Sequence, residues 1–279
     1  MTYKFTLNKE KPVEHIIKTF GSIPLVPNYN LIEQAVGKWQ INTFDCGLTS
    51  GYWSAESNQC CRKGHKSLAL SRDGTVVMSL TPMELESHLI PYNEAKGNVV
   101  IAGLGLAMIT INLLSKRTVK KITVLEIDDT VISLYPEILA DKDKQLWIDN
   151  IDSGRLQIIK QDCTQIIPND IKTKIGRVDY MWVDTWDVIG SDSSLPITQY
   201  LQNELKATTV DFWSMEFFWI SELIKDPLFK QNPLKSFRQW IDTTGLPLSV
   251  KNMSTHKQRM LLDLSIITAS ICYNLKKNN

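Results

Sequence analysis

The residues able to do chemistry sit at the ends of apolar runs in the middle of the chain. Gly103 and Gly105 break "VVIAGLGLAM". Glycine lets a backbone turn tightly and approach a ligand with no Cβ in the way, and the helix that follows presents free N–H groups. Glu126 closes "ITVLE", about twenty positions further on, where an acid accepts hydrogen bonds from a ribose diol. Asp162 and Cys163 end "LQIIKQDC", offering a carboxylate to an adenine amino group and a backbone N–H beside it. Asp184 and Asp187 lie in "VDTWD", and such carboxylates bind a cationic group or take a proton. Each feature alone has a plain reading as a strand-to-helix turn, an end-of-strand acid or a helix cap.

The surrounding pattern makes these features successive strand ends. "NVVIAG", "KKITVLEID", "RLQIIKQD" and "VDYMWVDTW" read as strands, with "LAMITINLLSK" and "DTVISLYPEILAD" as helices between the earlier ones. Strands alternating with helices mean a parallel sheet with crossover connections. The expected fold is α/β: a Rossmann-like, mostly parallel sheet with helices on both faces, preceded by a small β-rich N-terminal extension. Ligands of such sheets bind beyond the carboxyl ends of the strands, near the topological switch point, so the four features are expected to converge.

The extension is assigned to 1–95 and the Rossmann-like domain to 96–279. Within the extension, "VEHIIKTFGSI" reads as a short helix, "GKWQINTFDCG" as a strand, and 67–80 as a hairpin around Asp73-Gly74. A helix is expected over 82–90, with Thr81 as N-cap, Pro82 at its first position and Glu84 completing a capping box. Towards the C-terminus "VDFWSMEFFWISELI" reads as a helix, and "MLLDLSIITASICYN" as a buried helix or strand.

The third glycine of a dinucleotide loop is replaced by Met108, which argues against a pyrophosphate ligand. S-adenosylmethionine has no phosphate and needs only the tight turn. "VVIAGLGLAM", "VLEID", "QDC" and "VDTWD" resemble the successive motifs of class I S-adenosylmethionine-dependent transferases. The likeness is greatest to the polyamine (spermidine) synthase-like branch and its phage-type methyltransferase-like relatives. Upstream, "LSRDGTVVMSLTPMELESHL" looks like the hairpin and helix that precede the core in those proteins.

The resemblance implies S-adenosylmethionine as cofactor. It implies Gly103 and Gly105 beside the methionine moiety, Glu126 on the ribose, and Asp162 with Cys163 on the adenine. Asp184 and Asp187 match the acids of the synthases' D-[ST]-x-D motif, and Glu84 and His88 fall on a Glu and His of their preceding helix. Ser87 and Leu89 stand where the synthases carry Tyr and Glu, so methyl transfer to an unidentified small-molecule acceptor is expected ahead of aminopropyl transfer. A lyase acting on S-adenosylmethionine and a non-catalytic binding protein remain the other readings. Asp184 is expected to hold or deprotonate the nucleophile, with Asp187 and His88 orienting the acceptor and Trp186 walling it. An aspartate near pH 4 is a weak base, so positioning is the better expectation.

Bulk properties narrow the class. The chain has 279 residues, a net charge of +1 and 43% hydrophobic residues, which gives no nucleic-acid-binding field. No signal-peptide core or membrane span is legible, which leads to an expected cytoplasmic location, and a homo-oligomer is left open. Cys46, Cys60, Cys61, Cys163 and Cys272 are expected as free thiols. Cys46, Cys60, Cys61 and His65 lack the C-x2-C spacing of a zinc knuckle, so no metal is expected. "KRTVKK" (116–121) reads as a solvated helix end, and Trp213 and Trp219 as core.

Overall fold

The structure, a computed structural model, describes residues 12–45, 51–53 and 66–278, with side chains described over 14–269 of these. Cys46, Cys60, Cys61 and His65 lie outside the described residues, as does the side chain of Cys272.

The first sheet is antiparallel, with strands β1 (Gln34–Val36), β2 (Trp39–Asp45), β3 (Lys66–Arg72) and β4 (Thr75–Ser79) in that order. Between β3 and β4, Asp73 and Gly74 have φ of 51° and 79°, so both central residues of this two-residue turn are left-handed. That is the turn whose twist matches paired strands, and it explains the Asp-Gly sequence.

The second sheet is wholly parallel: β5 (Gly97–Ala102), β6 (Val119–Glu126), β7 (Leu156–Lys160), β8 (Tyr180–Val183) and β9 (Val210–Phe212), in the order β7-β6-β5-β8-β9. Flanking helices bury β5, β6 and β8, whose residues form near-continuous apolar runs as parallel strands require. The chain winds outward from β5 to β7, then returns to β8 on the other side. This puts the switch point between the carboxyl ends of β5 and β8.

The two sheets are tied together. The segment before β1 runs along the core, where the Asn30 N–H donates to the Ile138 carbonyl and the Ala140 N–H to the Asn28 carbonyl, both at 2.9 Å. Met78 on β4 accepts the Leu106 N–H of the glycine loop at 3.1 Å.

Several expectations need correction. The helix expected over 82–90 is two short helices, Pro82–Ser87 and Leu89–Glu94, broken at His88. Thr81 does occupy the N-cap, but no capping hydrogen bond forms, because Glu84 instead lines the cavity described below. "VDFWSMEFFWISELI" begins as β9 and becomes helical only over Met215–Leu223. "DTVISLYPEILAD" supplies a helix of five residues, Asp129–Ser133. Five of the described helices were not expected: Asp141–Asp152, Asn169–Ile175, Ser194–Leu205, Pro227–Gln231 and Pro233–Thr243. The C-terminal apolar segment is part of the helix Thr255–Asn278, whose Leu261, Leu262 and Leu264 are buried. No helix among the described residues is long and apolar enough to cross a membrane.

Candidate functional site

A cavity of about 480 Å³ opens at the carboxyl ends of β5, β6, β7 and β8. Gly103, Gly105, Glu126, Asp162, Cys163, His88, Asp184, Trp186 and Asp187 all line it, so the sequence-selected residues are brought together.

Gly103 has φ of 95°, and a Cβ there would lie 1.9 Å from the carbonyl oxygen of Asp184. The glycine is therefore needed for backbone-to-backbone contact between the ends of β5 and β8, whatever the ligand. At Gly105 a Cβ would meet Met78 Sδ at 2.7 Å. The loop is braced from below: the Tyr135 hydroxyl donates to the Gly105 carbonyl at 2.9 Å, and the Tyr29 hydroxyl to the Leu106 carbonyl at 2.6 Å. Ala107 adopts φ of 53°, so the loop makes a left-handed turn there without a glycine.

Glu126 ties the loop to the next strand end. Its Oε2 accepts the Leu104 N–H at 2.9 Å and its Oε1 the Asp128 N–H at 3.0 Å. Burial raises its pKa, and these backbone N–H groups oppose the rise. A carboxylate has roughly four acceptor sites, so a ribose diol still finds acceptors there. Asp162 uses Oδ1 for the Thr164 N–H and hydroxyl, at 2.8 and 2.7 Å. Burial, helped by Glu126 and Asp162, pushes the Cys163 thiol up to about 12, so it stays protonated and is no nucleophile.

The inner end of the cavity is built on His88, 1% exposed in the break between two helices. Its Nδ1–H donates to the Glu84 carbonyl at 2.7 Å, and Nε2 stands 3.3 Å from Asp184 Oδ2. The ring also packs on Trp182, with centroids 5.4 Å apart. Burial works against the imidazolium. The hydrogen bond to Asp184 and the charges of Asp184 and Glu84 outweigh it, leaving the His88 pKa raised. Burial carries Glu84 to about 8, against the pull of His88 and with the push of Asp184. Glu84 is thus held as a neutral carboxyl at neutral pH, beside an imidazole whose charged form is favoured by its neighbours. Ser87 and Trp213 complete it, the indole N–H donating to Ser87 Oγ at 3.0 Å.

The mouth joins Trp186 and Asp187 to residues that the sequence did not reveal. Trp39 Nε1–H donates to Asp128 Oδ2 at 2.9 Å, and Lys38 Nζ lies 3.0 Å from the same oxygen. Burial opposes it, but these contacts and Thr130 hold the Asp128 carboxyl well below the usual carboxylate range. Arg72 stacks over Trp39, 5.7 Å from the ring centroid, and its Nη2 approaches Asp187 Oδ2 at 3.8 Å. Trp186 contributes its ring, edge-on to Phe212 at 6.3 Å, while its buried N–H has no partner. Asp128 had one available signal, an acid at N-cap spacing after a strand in "LEIDDT". Trp39, Lys38 and Arg72 had none, because they reach the site across two sheets.

Two secondary readings change. Trp213 is buried, as expected of core, yet it also lines the cavity, whereas Trp219 is core alone. "KRTVKK" is not uniformly solvated: Lys116 Nζ donates to the Tyr92 carbonyl, and burial lowers its pKa.

The chain matches no family model and no curated protein. Among solved structures it is similar to spermidine synthase from Thermotoga maritima, at 16% identity over 64% of this chain and 53% of that one, with a TM-score of 0.37. It is also similar to a spermidine synthase in complex with the transition state analogue AdoDATO, at 15% identity over 64% and 55%, with a TM-score of 0.37. The match spans about half the length of those proteins.

Proposed function

We propose that the protein is an S-adenosylmethionine-dependent transferase, with methyl transfer to a small-molecule acceptor as its reaction. The observation that carries this reading is the convergence on one cavity of the Gly103–Gly105 loop, Glu126, the Asp162–Cys163 pair and Asp184, each at the end of a different parallel strand. The volume, about 480 Å³, is within the range of ordinary small-molecule sites.

The donor set fits a sulfonium nucleoside. Glu126 would take the ribose diol, Asp162 through its second oxygen the adenine amino group, and the glycine loop the methionine portion. The glycine loop is poor in free donors for a phosphate, since the Leu104 N–H is spent on Glu126 and the Leu106 N–H on Met78. When bound, the cofactor would supply an activated methyl on a sulfonium, so no further activation of the donor would be asked of the protein.

The chain's own task is alignment and exclusion of water. Asp184, fixed by His88 through one oxygen, has the other for the acceptor. His88 is anchored at Nδ1 by the Glu84 carbonyl, so the ring's part is to brace Asp184. The pair therefore orients the nucleophile and holds its proton at the Asp184 carboxylate. Asp187 and Trp186 bound the acceptor's side of the cavity.

One observation favours aminopropyl transfer as the second reading. Lys38 and Arg72 are the lysine and arginine lining the cavity, and both belong to the N-terminal sheet, so the inner end offers none to a cofactor carboxylate. Calorimetric titration with S-adenosylmethionine and with its decarboxylated form tests both. Preference for the former upholds methyl transfer, preference for the latter upholds the second reading, and binding of neither refutes the proposal.

A further inference from the structure

Arg72 is held without being satisfied. It faces Trp39 across β2 and β3 in direct register, and its guanidinium lies over that indole at 5.7 Å. Trp39 is itself fixed by its hydrogen bond to Asp128. The guanidinium therefore has a fixed platform beneath it, and it lines the cavity. Its approach to Asp187, 3.8 Å, is an ion pair but too long for a hydrogen bond. The side chains of Arg72 and Asp187 are 48% and 36% exposed, where such a pair contributes little. A planar fork of donors thus stands at the mouth with its charge loosely balanced and with no side-chain hydrogen bond to the described residues.

The two acids of "VDTWD" are accordingly not equivalent. Asp184 is braced by His88 through Oδ2 and lines the cavity, whereas Asp187 already has a cation opposite it. A diamine acceptor wants an unopposed acid at each end. Of the two acids, Asp184 has no lysine or arginine paired with it among the described residues, while Asp187 stands against Arg72.

Resting on the transferase reading above, we propose that the acceptor is a small molecule with a nucleophilic amine or hydroxyl at one end and a carboxylate at the other. Asp184 takes the first and Arg72 takes the second. The fork matches a carboxylate in two parallel hydrogen bonds, which Asp187 at its present distance does not provide. Arg72 acts as the specificity-determining residue, and diamines are rejected because its charge stands where their second ammonium would go.

The test uses the full chain saturated with S-adenosylhomocysteine. Straight-chain ω-amino carboxylates and diamines of matching length, from three to six carbons (about the span of such a cavity), are titrated into it. At least one ω-amino carboxylate is expected to bind about tenfold or more tightly than its diamine counterpart, the discrimination that a charge-assisted bidentate pair supplies. R72L should lose that preference, while R72K should keep part of it. Diamines binding as well as or better than the amino carboxylates, or neither series binding, overturns the proposal. So does R72L weakening S-adenosylhomocysteine itself, because Arg72 would then serve the nucleoside ligand. Failure of S-adenosylhomocysteine to bind wild type is a separate result that removes the transferase reading and this inference with it.

Discussion

His88 Nε2 stands 3.3 Å from Asp184 Oδ2, while the opposite nitrogen of the same ring donates to the Glu84 carbonyl at 2.7 Å. Both ring nitrogens face a partner, so the imidazole is a fixed bracket for the acid. D184N keeps the shape but removes the charge, and transfer is expected to fall at least about a hundredfold with S-adenosylmethionine affinity unchanged. Rapid-quench turnover set beside calorimetry checks this, and a D184N protein with near-wild-type turnover defeats the assignment.

Removing the bracket should be felt differently. In H88Q the acid keeps its charge but loses an oriented partner, so kcat is expected to drop about tenfold with KM for the nucleoside unmoved. The pH–rate profile should shift as well, since the raised His88 pKa no longer contributes. A variant that is merely less stable, with an unaltered profile, would reduce His88 to a packing residue.

Glu126 joins the glycine loop to the strand beside it through two backbone N–H groups. In E126Q one of those donors faces an amide N–H2, and a buried donor left without an acceptor costs about 1–3 kcal/mol. Nucleoside affinity is expected to fall about tenfold or more, and the melting temperature to fall with it. Unchanged affinity, measured by calorimetry, would show that the ribose contact lies elsewhere.

Stability should decline as pH rises from about 5 to about 8.5. Burial carries Glu84 to about 8 and both Asp211 and Glu216 to about 7, all above their ordinary values. The folded state therefore binds more protons than the unfolded state across this window. Its stabilisation is full below the unfolded carboxyl values and is lost as pH passes through the folded ones. His88, also raised, adds the same sign above its ordinary value. Urea denaturation at several pH values should show the decline, with D211N or E216Q flattening it; a rise with pH contradicts the assignment.

G103A should be the most damaging single methyl in the chain. Its Cβ would sit 1.9 Å from the Asp184 carbonyl oxygen at a φ of 95°, and neither backbone has a flexible group to yield. A loss of about 3 kcal/mol or more is expected. G105A meets the thioether of Met78, which can move, so its loss should be smaller. Equal melting temperatures for the two variants would remove the distinction.

The parallel core was legible because its strands are unbroken apolar runs ending in glycine or acid, a pattern set by burial on both faces. The acids at those ends could be named because position along the chain equals position at the sheet edge. Trp39 and Arg72 were invisible for the opposite reason: the Trp39–Asp128 bond spans 89 residues and joins a β-hairpin to a strand end of another sheet. Glu84 was misread as part of a capping box because the local spacing satisfies both roles, and only burial beside His88 decides between them. β9 was hidden in an aromatic segment of three strand residues, too short for any periodicity to register.

The contact between Gly103 and the Asp184 carbonyl has one further consequence. The glycine loop and Asp184 share a wall one peptide thick, with no side chain between them to absorb displacement. Under the proposed transferase reading, filling the loop's side is expected to change the free energy of filling the side of the acid, and linkage makes that effect equal in both directions.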